Sequence, residues 1–538
     1  MRENSREGLI WDDNGLGPEP RWTRDPDLRA VLRVCRRQLG IPDPAPPSEY
    51  GPRNRGDAEH EGDDRLNVTF HADGTFNKLY RVTTTNAPNT SNTRHFILRV
   101  SLPVDPRNKT LGEAATLELV RHKTDIPVPR VVAFDETRNN EIGYEWLLMD
   151  CMTGVPAHYR WRKMSMREKE VLTVRVADFQ AQLLRCGGFG DGFREIGTLG
   201  TVGGDSEGSQ QGATAAASAT PEPGPVVSSF FFLGQRYYYP ISRGPFSCSH
   251  DWLRAQLSII IKEHTTALGQ ANSELDKEYA ECALRVARKL LRMLHKIFPS
   301  VIHPPERTVL WHDDLSLKNI LVSPNGAVTA VIGWYVHSLF VFVLRFPFPS
   351  TFLSLGESER EKYTNTPREC ASAMPRWVAS QMPEFLRGTV RNTKPDRNCY
   401  TDVEKGLFTA GANAADDPDD GLDNEGKTEL YWIHLMEYEQ TQLRRVYEAR
   451  MRHLRPEWDM EVEEGALKVD FLGAVSRCGS GFYLRRIEQW VDAIERKEYL
   501  PLMEVLRTGI KKESKEKPAT ATAMTKAVKT LSLVSRLS

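Results

Sequence analysis

The chain has 538 residues, 40% hydrophobic and 27% charged, with a formal net charge of −1. Such a composition buries a core, and the length exceeds what one core usually holds, so two lobes with extensions are predicted. The near-zero charge gives no reason to expect a nucleic-acid or membrane partner. The 8 cysteines include no C-x-x-C pair, which argues against disulfides and structural zinc.

Residues 1–64 read as an extension and linker. Met1 to Glu7 is charged, and no apolar segment of a targeting type follows, so a cytoplasmic protein is expected. Asp25 to Gly40 predicts a helix with Leu28, Val31, Leu32 and Cys35 on its buried face. Pro42 to Asp64, rich in Pro, Gly and charge, predicts a linker. Strand patterns then begin at Asn67–Phe70 and Lys78–Val82, flanking a turn that contains Gly74. Phe96–Val100 is a further strand, and Thr110-Leu111-Gly112-Glu113 has the form of a capping box opening a helix. Glu145 to Gly154 reads as a strand running into a connector that holds Asp150 and Met152.

From 156 to 507 the pattern is mainly helical. Ser165-Met166-Arg167-Glu168 is a second capping box, leading Leu172, Val176, Phe179 and Leu183 onto one face. Gly197 to Ser229 is dominated by Gly, Ser, Ala, Thr and Pro, and predicts an insertion without packed structure. The apolar run Leu339–Leu344 stops at Arg345, far short of a membrane span. A second insertion is expected across 401–427, where Asp416-Asp417-Pro418-Asp419-Asp420 reads as a solvated acidic surface. Helices are predicted at Glu429–His453 and Phe482–Arg507, and a disordered basic tail over 508–538. Cys248 and His250 lie close together, but two ligands do not make a metal site.

The chemistry concentrates in Leu310 to Val322, which places His312 two residues before Asp314 and Asn319 five residues after it. That spacing is the catalytic-loop pattern of kinase-type phosphoryl transfer, in which the Asp accepts the hydroxyl proton and the Asn holds magnesium. Ser323-Pro324-Asn325-Gly326 is a turn, and the strand from Val328 to Gly333 returns the chain to the loop. At its end, where such enzymes carry the main metal-binding Asp, stands Gly333.

These motifs resemble the aminoglycoside phosphotransferase family, and within it a group of fungal proteins. The resemblance extends to Gly8–Trp11, Pro20–Arg24, Phe76-Asn77-Lys78, Ile126-Pro127-Val128-Pro129 and Gly244-Pro245-Phe246-Ser247. It implies an α+β, bilobal protein-kinase-like fold, with a small β-rich nucleotide-binding lobe over 65–155 and a larger, mainly helical lobe over 156–507. It further implies ATP as phosphoryl donor, magnesium as cofactor and a small-molecule hydroxyl as acceptor. Asp314 would be the catalytic base, His312 would structure the loop, and Asn319 would bind magnesium. Gly74 would lie in the loop covering the phosphates, and Arg99 would stand in for the phosphate-binding Lys, oriented by Glu113. Glu113 is also the capping-box acid, and one rotamer cannot serve both roles. The backbone at Asp150 and Met152 would take the adenine. Gly333 leaves a second reading open, a kinase-fold pseudoenzyme that binds nucleotide weakly or not at all.

Overall fold

A computed structural model of the chain describes residues 6–13, 18–43, 65–85, 93–186, 193–201, 221–300, 306–334, 371–400, 430–479 and 483–509. The apolar run at Leu339–Leu344, the acidic run at Asp416–Asp420, the tail from Lys511 and nearly all of the 42–64 linker lie outside those residues.

A ribbon of β1 (Leu9–Asp13) and β2 (Pro18–Trp22) leads into α1 (Leu28–Gln38), whose first turn is capped by the Asp27 carboxylate accepting from the Arg29 amide at 3.1 Å. Its buried face is Ala30, Val31, Val34 and Cys35, while Leu28 is 47% exposed. The stripe is therefore rotated from the predicted one, because Leu28 is spent as the first residue after the cap.

Five antiparallel strands make the small lobe: β3 (Leu66–Gly74), β4 (Asn77–Thr85), β5 (Thr93–Ser101), β6 (Val131–Asp135) and β7 (Glu145–Asp150), ordered β3-β4-β5-β7-β6. Only Thr75 and Phe76 separate β3 from β4, so Gly74 pairs with Asn77 across a tight turn. Crossing from β5 to β6 is α2 (Asn108–Lys123), which starts two residues before Thr110. The Thr110 hydroxyl donates to Glu145 Oε2 at 2.6 Å instead of capping its own helix.

After β7 the chain runs through 151–154 into β8 (Val155–Pro156), which pairs with β12 (Ile320–Val322), itself paired with β13 (Val328–Val331). The larger lobe begins with α3 (Met166–Leu183), where both hydrogen bonds of the Ser165/Glu168 capping box form and Leu172, Val176, Phe179 and Leu183 are buried as predicted. Its core is packed by α4 (Ser249–Gly269), α5 (Glu274–Ile297), α6 (Leu430–Leu454), α7 (Trp458–Cys478), α8 (Leu484–Glu495) and α9 (Leu502–Thr508). Helices α4, α5 and α7 fall where no element is predicted. The single helix expected over 482–507 is instead two, since Lys497 takes φ of 66° and Pro501 starts α9.

The insertion expected across 197–229 is corrected at both edges. β9 (Gly197–Thr201) pairs with β10 (Pro221–Pro223), and both join β14 (Ser372–Pro375) and β11 (Thr308–Trp311) in one sheet ordered β10-β9-β14-β11. Val226, Val227 and Ser228 are fully buried. Composition misleads here because the apolar residues that order the segment sit at its C-terminal end, just outside the polar stretch.

Strand β9 lies directly on α2, and a Cβ built at Gly112 would sit 2.4 Å from Thr198 Cγ2 and 3.2 Å from the Leu199 carbonyl. Gly112→Ala should therefore destabilise the fold by about 1–3 kcal/mol through overpacking. Chemical denaturation checks this, and an unchanged midpoint would show that α2 and β9 separate freely.

Candidate active site

Strand β11 delivers Trp311 to the loop, and β12 begins one residue after Asn319, so the loop is stretched between two buried strands. His312 is its brace. Its Nδ1 accepts the Asp314 amide at 3.1 Å, which leaves Nε2 to donate to the Ile332 carbonyl at 3.0 Å. The ring also meets Trp334 edge-on, with centroids 4.5 Å apart. Asn319 donates from Nδ2 to the Asp314 carbonyl at 2.9 Å, and its own carbonyl accepts the Ile332 amide at 2.9 Å. His312, Asp314, Asn319 and the 332–334 segment after β13 are thus one hydrogen-bonded unit, with Asp314 8% exposed. Trp334 was not singled out in the sequence; its place just after the strand ending at Val331 was its signal.

The loop and β13 are tied to the connector, to the residues just after it and to the segment before β6. The Leu317 carbonyl accepts the His158 amide at 3.2 Å, the Pro127 carbonyl accepts the Val331 amide at 2.9 Å, and the Thr329 hydroxyl donates to the Thr153 carbonyl at 2.6 Å. Asp150 ends β7 and forms a side-chain ion pair with Arg130 at 3.2 Å, while its amide donates to the Arg130 carbonyl. Met152 follows in irregular backbone and is half-buried.

In the small lobe, Arg99 lies mid-strand in β5, between Leu79 of β4 and Leu147 of β7. It is fully buried and forms an ion pair with Glu113, 3% exposed, one turn into α2. Glu113 is therefore turned to Arg99 and not back to the start of its helix. Gly74 is exposed at the hairpin tip. Behind that tip, Lys109 is buried and donates to Asn77 Oδ1 at 2.5 Å and to Ser101 Oγ at 3.0 Å. Next to it, Glu145 accepts from the Arg107 amide at 2.7 Å as well as from Thr110.

Burial pushes the Glu145 carboxyl up to about 7, opposed by its bonds from Thr110 and Arg107 and by the Lys109 charge. A carboxyl raised in the folded state stabilises while protonated and loses that contribution as pH rises through the folded value. Stability should therefore fall as pH rises from 4.5 towards 7 through this group, and Glu145→Gln should flatten that slope. Melting curves across that range distinguish the two proteins.

Gly333 closes the site. Its φ is +81°, and a Cβ there would lie 2.5–2.6 Å from the Asn319 carboxamide atoms. Magnesium favours near-octahedral oxygen ligands, carboxylates above all. Gly333 brings none, and Asn319 leans into the space its side chain would need. No group of three or more His, Cys, Asp or Glu able to hold a metal occurs among the described residues. Among the described residues, the donor set here does not fit a magnesium ion held as the kinase pattern requires. Gly333→Asp must displace Asn319 from the Asp314 carbonyl, and should cost about 1–3 kcal/mol of stability before any metal is added. Denaturation in chelator measures it; a neutral effect would mean Asn319 swings away without loss.

The model of the phosphotransferase enzyme family matches residues 67–336, half of the chain, and the chain belongs to that family. A subtelomeric hrmA-associated cluster protein of Aspergillus fumigatus is 25% identical over 304 residues, 49% of this chain and 56% of that protein. The clavilactone A biosynthesis cluster protein Y of Ampulloclitocybe clavipes is 29% identical over 180 residues, 33% of this chain and 41% of its own. The chain thus spans about half the length of the curated relatives it matches. Among solved structures, a putative aminoglycoside phosphotransferase of Ralstonia eutropha aligns with a TM-score of 0.35 at 12% identity, covering 90% of this chain and 94% of that one. The gentamicin complex of APH(2")-IIa aligns with a TM-score of 0.31 at 11% identity, covering 83% and 92%. No helix among the described residues is long and apolar enough to cross a membrane.

Proposed function

We propose that the protein is an ATP-dependent phosphotransferase of the aminoglycoside phosphotransferase type, moving the γ-phosphoryl group to a hydroxyl of a small molecule. The observation that carries this reading is the braced loop in which His312 orients the Asp314 amide and Asn319 holds the Asp314 carbonyl. In this reading Asp314 accepts or orients the proton of the attacking hydroxyl. Arg99, buried against Glu113, would have to turn out of that pair's shelter to meet the donor phosphates as a positive charge. The turn at Gly74 covers them, and the connector backbone at Asp150 and Met152 takes the adenine. Asn319 remains a single candidate ligand for magnesium, and no step is assigned to the metal.

Gly333 favours a second reading, nucleotide binding without turnover. The thermal midpoint with ATP, with and without magnesium, separates the two when read beside phosphate transfer. Ligand at 100 times its dissociation constant adds about 2.7 kcal/mol of stability, so binding is visible as a raised midpoint. A working phosphotransferase should lose about 100-fold or more of its rate in Asp314→Ala. Equal rates in the two proteins overturn the enzyme reading. A raised midpoint with no phosphoryl transfer to any hydroxylated acceptor supports the second.

A further inference from the structure

A short segment of the larger lobe is built into the core of the smaller one. Consecutive side chains divide between the two: Val226 packs in the large core and Val227 in the small one, Phe230 and Phe231 in the large core and Phe232 in the small one. Tyr237 also belongs to the small core. The Phe232 ring meets Phe76 edge-on, with centroids 5.5 Å apart. Phe76 is a residue of the turn that follows Gly74, so a group from the larger lobe supports that turn from behind.

Both sides of the segment are anchored. Towards the small lobe, the buried Arg6 guanidinium donates to the carbonyls of Phe232 at 2.9 Å, Gly234 at 3.2 Å and Pro103 at 3.4 Å, and lies 4.6 Å from the Tyr237 ring centroid. Arg243 donates to Asp105 at 2.9 Å. Towards the larger lobe, Phe231 stacks on Phe246 with centroids 6.2 Å apart, and Phe246 exchanges backbone hydrogen bonds of 2.7 and 2.9 Å with Ile196. The Val226 amide donates to the Arg243 carbonyl at 2.7 Å, and the Val227 amide to Thr198 Oγ1 at 2.9 Å. This gives the Gly244-Pro245-Phe246-Ser247 motif a structural task.

We propose that residues 226–237, with Arg6, form an interlobe clasp that positions the Gly74–Phe76 turn against the larger lobe, so that the turn does not swing with the small lobe as a free hairpin. Phe232 is the positioning residue, since its ring is what the turn rests on. The ligand part of this inference rests on the phosphotransferase reading; the mechanical part does not.

Hydrogen exchange on the full chain tests it, with ATP affinity read in parallel. Truncating Phe232 to Ala or removing the Arg6 bonds should raise exchange at 70–80 about tenfold, while α5 and α8 keep their wild-type protection, as expected when one local unit loosens. The variants are Phe232→Ala, Phe232→Leu and Arg6→Gln. Phe232→Leu should restore most of the protection, and Arg6→Gln leaves both apolar cores intact should Phe232→Ala fail to fold. If ATP binds the wild type, its affinity should drop in Phe232→Ala and recover in Phe232→Leu. Unchanged exchange at 70–80 in Arg6→Gln and Phe232→Ala overturns the clasp, and so does an equal rise in every element. A wild type that does not bind ATP removes the phosphotransferase reading, while the exchange data still decide the clasp.

Discussion

The ion pair of Arg99 and Glu113 is the constraint on which the small lobe depends. Two charges taken wholly out of water are tolerated only if each has the other, and removing one partner of such a pair costs about 3–5 kcal/mol. Because Arg99 is mid-strand in β5 and Glu113 is on α2, the pair sets how the helix lies on the sheet. Gly112, next to Glu113, then has no room for a side chain against β9. The ion pair, the close helix contact and the strand from the larger lobe are therefore mutually required.

A second constraint lies in the loop at 312–319. Its polar groups are turned onto one another: ring nitrogen to amide, carboxamide to carbonyl, imidazole to the Ile332 carbonyl just past β13. Buried polar groups left unmade are expensive, so a closed set of this kind stiffens the backbone that presents Asp314. Gly333 belongs to the same set by what it lacks. With no Cβ it lets Asn319 approach, and any residue restored there must compete for that space. The stretch that matches the phosphotransferase family includes this loop and Gly333, which carries no carboxylate.

The two lobes are less separate than a bilobal outline suggests. The inner face of α2 packs its Leu117, Leu119 and Val120 in the large core, although the helix crosses between strands of the small sheet. The 226–237 segment does the reverse. Each lobe therefore completes the other's apolar interior, and the connector at 151–156 is not their sole link.

What the sequence determined was local and chemical. The His312, Asp314 and Asn319 spacing, the Ser165/Glu168 capping box, the turn at Ser323–Gly326 and the missing carboxylate at 333 were legible because each depends on a few adjacent residues. The β3–β4 hairpin was legible for the same reason. Tertiary structure decided what needs distant partners. Whether Glu113 caps its helix or pairs with Arg99 was settled by a strand ten residues and more away. Helices α4 and α7 give only weak helical periodicity, whereas α5 carries a clear one, its buried Ala283, Leu284, Ala287, Leu290 and Leu294 recurring at helical spacing opposite a charged face. The order at 221–232 was hidden because the polar residues before it dominate the composition, while its own apolar side chains find their partners in two different cores.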